Sequence, residues 1–255
     1  MTNPTTLLVP GAWLPPTIYT PLTPFLSAAG YPVLTLPLPS CDASPPHADF
    51  SGDVRGIRAC LHTLIDEEEK DVVLVLHSYT GMPGTEAPVG LGKKERERAG
   101  KKGGVLRLVY VNALAPCEGF SLTAGGQEYP SWMRLDADKG VFTVSPSDAQ
   151  RLFFNDLSEE EGDAWADTLR PQSAGVYTST QTYAAWRHIP STYVTGTRDQ
   201  THFNRETVNF FISTARLIEP TAFDVVEEVD AGHCLMISQA EWLAGVLRRA
   251  AGESL

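Results

Sequence analysis

The chain has 255 residues, 42% of them hydrophobic and 20% charged, with a net charge of −11 and a pI near 5.0. That length and balance predict one sizeable soluble core, and the acidic surface disfavours nucleic acid or an anionic membrane as a partner. Four cysteines (Cys41, Cys60, Cys117, Cys234) lack metal-ligand or disulfide-framework spacing, no apolar run reaches bilayer length, and no basic segment precedes the first strand. No metal, no cofactor, no signal peptide and a cytoplasmic setting are therefore expected.

Thr5 to Val9 reads as a short strand that breaks at Pro10-Gly11, with a loop from Ala12 to Pro16. A helix is expected over about 19–29, closed by Gly30, then a strand at 33–37 and a Pro- and Ser-rich loop to about Ala48. Ser51 to Glu69 carries Val54, Ile57, Leu61, Leu64 and Ile65 at helical spacing. Val72 to Leu76 is uniformly apolar and rich in β-branched residues, which predicts a strand buried on both faces, as in a parallel sheet. It stops on His77-Ser78, and Gly81, Pro83 and Gly84 follow, so a sharp turn is expected, then a helix from about Tyr79 to Val89. Lys93 to Lys102 interleaves Lys and Arg with Glu and reads as a solvated loop. Residues 105–114 predict another buried strand.

From about 115 to 190 there is no strong strand pattern, but there are many aromatics and two helix starts, Ser145-Pro146 and the capping box Ser158-Glu-Glu-Glu161. Strands return at 191–195 and 223–229, and Ser238-Gln-Ala-Glu241 reads as a second capping box ahead of a terminal helix. The alternation predicts a single α/β domain over 1–255. Its core is a doubly wound, mostly parallel sheet, and a helical lid is inserted late in the chain, at about 115–190.

In such a sheet, ligands sit beyond the carboxyl ends of the strands. A buried strand that ends on a serine and turns sharply presents a hydroxyl above the sheet, which makes Ser78 a candidate nucleophile; an ordinary helix N-cap is the plainer alternative. Asp199 follows the strand at 191–195, and His233 follows the one at 223–229. With His233 taking the serine proton and Asp199 orienting the imidazole, the chain order Ser, Asp, His is that of a hydrolytic triad. Asp224 and Asp230 are rival acids, His202 is a rival base, and capping of the following helix is the plainer role for Asp199. The backbone N–H groups of Tyr79 and of Ala12, beside the permissive Gly11, are the expected oxyanion donors. Gly11, Trp13, Trp132, Met133, Phe153, Phe154, Tyr183, Trp186 and Met236 are the candidate pocket residues. They form an apolar, aromatic set suited to a neutral, moderately bulky small molecule.

Leu8-Val-Pro-Gly-Ala-Trp13, Val75-Leu-His-Ser-Tyr-Thr-Gly81, Gly196-Thr-Arg-Asp199 and Gly232-His233 together resemble the α/β-hydrolase superfamily. More narrowly, the chain resembles the compact small-molecule esterase group that includes plant methyl esterases and hydroxynitrile lyases. Leu152-Phe-Phe-Asn-Asp-Leu157 and Leu169-Arg-Pro-Gln-Ser173 resemble stand-alone fungal and bacterial hydrolases of that group. The resemblance implies a Ser78–His233–Asp199 triad that cleaves a small, largely apolar or aromatic ester or lactone through an acyl-enzyme. Related cyanohydrin-cleaving lyases carry a Lys after the catalytic His and a Thr at the oxyanion Gly; Cys234 and Gly11 stand at those places here, as in the esterases.

The chain departs from the pattern at Pro10, where a His often precedes the Gly, and at Leu76 and Thr80, where Gly-x-Ser-x-Gly has small residues. A widened or strained turn is expected there. That bulk motivates an alternative in which the triad drives a non-hydrolytic acid–base step, such as elimination, retro-aldol cleavage or cyclisation. A ligand-binding protein on a hydrolase scaffold is the second alternative. The expected partner is a small-molecule substrate, and the chain is expected to act as a monomer or homodimer.

Overall fold

The computed structural model describes residues 3–126 and 128–254. Among them are strands β1 (Thr5–Val9), β2 (Val33–Thr35), β3 (Asp71–His77), β4 (Gly104–Val111), β5 (Arg134–Asp136), β6 (Val141–Thr143), β7 (Gln172–Ser173), β8 (Ser191–Gly196) and β9 (Val225–Val229). Six of these form an all-parallel sheet in the order β2-β1-β3-β4-β8-β9. Every residue of β3 after Asp71 is buried, as its uninterrupted apolar run requires. The helices are α1 (Thr23–Ala28), α2 (Ser51–His62), α3 (Pro83–Glu86), α4 (Lys93–Arg98), α5 (Pro146–Leu152), α6 (Glu159–Ala166), α7 (Arg205–Ile218), α8 (Leu235–Ser238) and α9 (Ala240–Ala250). None is long and apolar enough to cross a membrane.

The register brings the candidate site positions to one rim. Val9 pairs with Leu76, His77 with Val111, Val111 with Val194 and Gly196 with Val229, so the loops after β1, β3, β4, β8 and β9 emerge side by side. The chain runs from β1 out to β2 and then returns to β3 on the other side of β1. The loop bearing Gly11 and the turn bearing Ser78 therefore flank the point where the strand order reverses.

Several elements differ from their sequence reading, each for a local reason. The helix expected over 19–29 is a 3₁₀ turn, Pro16–Tyr19, followed by α1, because prolines open both pieces. The helix from Ser51 ends at His62 and continues as a π-type turn, Thr63–Glu67. After Ser78 the chain makes a 3₁₀ turn to Gly81 before α3, since Pro83 lacks the N–H needed for a continuous helix. The charged stretch from Lys93 forms α4, and its Arg96 is buried, bonded to the Gly103 and Lys102 carbonyls and paired with Asp66.

The segment between β4 and β8 is not purely helical. β5, β6 and β7 form a small antiparallel sheet beside α5 and α6, with strands of two or three residues, too short to register as alternation. Ser145 caps α5, and Ser158 and Glu161 cap α6 reciprocally. No capping box opens α9. It starts at Ala240, and the Ser238 hydroxyl instead donates to Asp156.

Candidate active site

Ser78 leaves the end of β3 at φ 57°, in the left-handed region that costs an L-residue on the order of 1–2 kcal/mol. Its surroundings hold it there. The Ser78 carbonyl accepts from Leu114 N–H (3.0 Å), and the Thr80 hydroxyl donates to the His77 carbonyl (2.7 Å). Leu76 and Thr80 do not force the turn out of this conformation. Leu76 lies over Gly84, where a Cβ would collide with its side chain, and Thr80 is fully buried with its hydroxyl satisfied by backbone.

His233 and Asp199 meet beyond β9 and β8. His233 Nδ1 donates to Asp199 Oδ2 at 2.7 Å, and both residues are buried. The other Asp199 oxygen accepts from the Thr201 N–H (2.7 Å) and hydroxyl (2.6 Å), an Asx-type turn. Burial alone would raise the Asp199 carboxyl, but the His233 charge and the hydrogen bonds from His233 and Thr201 outweigh it, and the net shift is downward. The acceptor-only carboxylate places the proton on Nδ1, which leaves Nε2 of a neutral His233 free to accept one. Both Ser78 and His233 line one cavity, although no direct hydrogen bond joins their side chains.

Two further side chains support this loop from below. His77, fully buried, donates from Nε2 to the His233 carbonyl (3.1 Å), and burial followed by the nearby His233 holds its own imidazole well below the usual range. Asn112, just past β4, donates to the Gly232 (3.1 Å) and His233 (3.0 Å) carbonyls and accepts from Gly196 N–H (2.9 Å). It thereby joins the ends of three strands. The rival acids are engaged elsewhere, Asp224 with Arg107 and Asp230 with Arg198. Asn204, not Asp199, caps α7. His202 stacks on Trp132 and lines the cavity without bonding to Asp199.

Among the described residues, the N–H groups of Ala12 and Tyr79 have no hydrogen-bond partner, although both residues are buried. Their flanks are fixed. Trp13, at φ 65°, donates its backbone N–H to Gln172 Oε1 (3.4 Å) and its indole N–H to the Phe142 carbonyl (3.0 Å), and its carbonyl accepts from Arg170 N–H (2.9 Å). The Tyr79 hydroxyl donates to Asp53 (2.7 Å), a buried carboxyl that also accepts from the Ser40 N–H and hydroxyl. Burial raises the Asp53 carboxyl against the opposing pull of those hydrogen bonds.

The cavity measures about 450 Å³. Of the residues proposed for its wall, Trp13, Trp132, Met133 and Phe153 line it, as does Tyr79. Gly11 does not. It sits against Ser78, where a side chain would have no room. Phe154, Trp186 and Met236 belong to the core instead; Trp186 packs on Phe223 and donates to the Pro116 carbonyl. Tyr183 stacks on His188 in a separate surface hollow.

The sequence reading missed Phe120, Tyr129, Tyr177, Phe203, Phe210 and Phe211, which complete the aromatic wall. Phe203 shares the loop of Asp199, a position that could have identified it; nothing in the pattern around Tyr177 marks it. Thr201 and Asn112 were also missed. Thr201 lies two residues beyond Asp199 and Asn112 just past a buried strand, both legible signals.

A profile of the Alpha/beta hydrolase family matches residues 6–246. The alpha/beta hydrolase nvfD of Aspergillus novofumigatus (strain IBT 16806) is 31% identical over 258 residues, spanning 100% of this chain and 99% of its own. The probable hydrolase R7 of Phoma sp. (strain ATCC 20986 / MF5453) is 29% identical over 255 residues, spanning 99% and 100%. Among solved structures, polyneuridine aldehyde esterase superposes with a TM-score of 0.74 at 20% identity, covering 97% of this chain and 98% of that one. With a family profile spanning almost its whole length, this chain belongs to the alpha/beta hydrolase family.

Proposed function

We propose that this protein is a serine hydrolase of a small, largely apolar or aromatic ester or lactone, with segment 115–190 acting as its lid. The observation that carries the reading is Ser78, held at positive φ on the same cavity as a buried His233–Asp199 pair joined at 2.7 Å. Ser78 Oγ attacks the substrate carbonyl carbon as its proton passes to His233 Nε2. The C–O bond to the leaving group then breaks, and His233 returns the proton to that oxygen, leaving Ser78 acylated. Water, deprotonated by the same nitrogen, then attacks the acyl carbon; the bond to Ser78 Oγ breaks, Oγ takes its proton back from His233, and the acid leaves. The vacant Ala12 and Tyr79 N–H groups suit the negative oxygen of each tetrahedral intermediate. Asp199 stabilises the imidazolium, and its lowered carboxyl stays ionised while doing so.

The aromatic wall favours neutral, planar or apolar acyl and alcohol groups over charged ones. The two hydrolase relatives and the fold shared with polyneuridine aldehyde esterase add support for hydrolysis. The test is a panel of acyl p-nitrophenyl esters and aryl lactones together with a fluorophosphonate probe. The wild type is expected to turn over part of the panel and to label stoichiometrically at Ser78. Ser78→Ala should abolish both, and His233→Ala should lower kcat by roughly 10²- to 10⁴-fold. Activity retained in Ser78→Ala would replace acyl transfer with acid–base chemistry at His233.

A further inference from the structure

Phe153-Phe-Asn-Asp156, the stretch that joins α5 to α6, takes no part in the steps above, yet it binds both loops that bear the acid and the base. Asn155 Nδ2 donates to the carbonyl of Arg198, the neighbour of Asp199, at 2.9 Å. Asp156 Oδ2 accepts from Gly232 N–H, just before His233, at 2.7 Å, and from the Ser238 hydroxyl at 2.5 Å. The Phe153 carbonyl accepts from Cys234 N–H, just after His233, at 3.2 Å. His233 is thus gripped on both sides in the chain by one short stretch of the insert. The approach is close: a Cβ at 232 would lie 2.7 Å from Asp156 Oδ1 and against Asn155 Oδ1, so both side chains would have to move away from the loop of His233 to admit one.

The same stretch also reaches the cavity. The Phe153 ring lies 5.5 Å from that of His233, 5.9 Å from that of Trp13 and 5.7 Å from that of Trp132. It touches the base, the loop of the candidate oxyanion donor Ala12 and the pocket wall at once.

We propose that Asn155 and Asp156 are positioning residues that set the placement of Asp199 and His233 relative to Ser78, so that the insert forming the pocket wall also governs the rate of the chemical step. The proposal rests on the serine-hydrolase reading above. Neither side chain touches the reacting atoms. Their effect comes through geometry, where a misplacement of about 1 Å costs on the order of 10²-fold in rate. Asp156 acts as an acceptor of two hydrogen bonds, a task an amide oxygen at the same place also performs.

The test uses the full chain and a short acyl p-nitrophenyl ester, with kcat expressed per fluorophosphonate-labelled Ser78 so that misfolded protein does not count. Asp156→Ala is expected to lower kcat per labelled site by roughly 10- to 100-fold with KM changed by less than about threefold. Asn155→Ala, which removes one hydrogen bond, should show a smaller loss in the same parameter, and Asp156→Asn should recover most of the wild-type rate. Where Asp156→Ala does not fold, Asn155→Ala and Asp156→Asn decide the matter. Wild-type kcat per labelled site in both alanine variants, or in Asn155→Ala when it alone folds, overturns the proposal while leaving the hydrolase reading intact. A wild-type protein that neither labels nor turns over any ester overturns both.

Discussion

Gly11 lies directly against Ser78: a Cβ at position 11 would stand 2.8 Å from the Ser78 Cβ and 3.0 Å from His77 Nδ1. Added atoms there must displace either the turn that holds the hydroxyl or the loop that carries the Ala12 N–H. Gly11→Ala is expected to lower kcat for ester hydrolysis by at least about tenfold, the scale of losing one well-placed oxyanion donor in part. Steady-state kinetics check it, and an unchanged kcat would mean that the two loops yield without cost.

The left-handed conformation of Ser78 should be measurable as stored strain. Alanine keeps the Cβ clash at positive φ, and glycine removes it. Ser78→Gly is expected to exceed Ser78→Ala in stability by roughly 0.5–1 kcal/mol after the greater freedom of its unfolded chain is counted, with neither variant turning over. Urea unfolding of the two variants decides it. Equal midpoints would show a relaxed turn.

Leu76 is tolerated two residues before Ser78 because Gly84 leaves it space. Gly84→Ala should therefore destabilise the protein by roughly 1–3 kcal/mol through overpacking. Combined with Leu76→Ala, which opens room, it should cost less than the sum of the two single changes. Additive losses in a double-mutant cycle would separate the two positions.

The buried His77 makes stability depend on pH with a definite sign. Burial, then the neighbouring His233, depresses its folded-state pKa well below the ordinary 6.5. The unfolded chain binds a proton as pH falls through that ordinary value while the folded chain does not, so stability present above it is lost below it. Asp199, also depressed, adds a loss of the same sign only at pH values below its ordinary 3.8. His77→Gln, which keeps an N–H for the His233 carbonyl, should flatten the decline between about pH 7 and pH 5. Thermal midpoints measured across that range provide the check, and an unaltered slope would assign the decline to another group.

The candidate residues Ser78, Asp199 and His233 were legible because Ser78 closes a strongly apolar strand and the other two follow later strand patterns in the order Ser, Asp, His, and parallel pairing brings the ends of those strands together. The sheet itself was legible for the same reason. The pocket wall was legible only in part, because a large aromatic in a segment without periodicity carries no sign of which way it faces: Phe153 lines the cavity while its neighbour Phe154 is core. Strands as short as β7 leave no period to detect, and the helix after Ser78 was overdrawn because Pro83 interrupts it. The tolerance of Leu76 depends on Gly84, a contact between β3 and the helix that follows it, which a motif centred on Ser78 does not contain.

Three hydrogen bonds converge on Trp13 from the segment between β4 and β8, through Gln172, Phe142 and Arg170. If that segment is the proposed lid, a covering stapled at that corner, and again beside the imidazole, would not swing aside as one hinged plate. Under the proposed lid, the doorway would be the margin where solvent-facing Glu128 and Phe210, the latter 58% exposed, border the same chamber. How fast a guest arrives and departs would answer to side-chain bulk at those two positions, well before any covalent bond is made or broken.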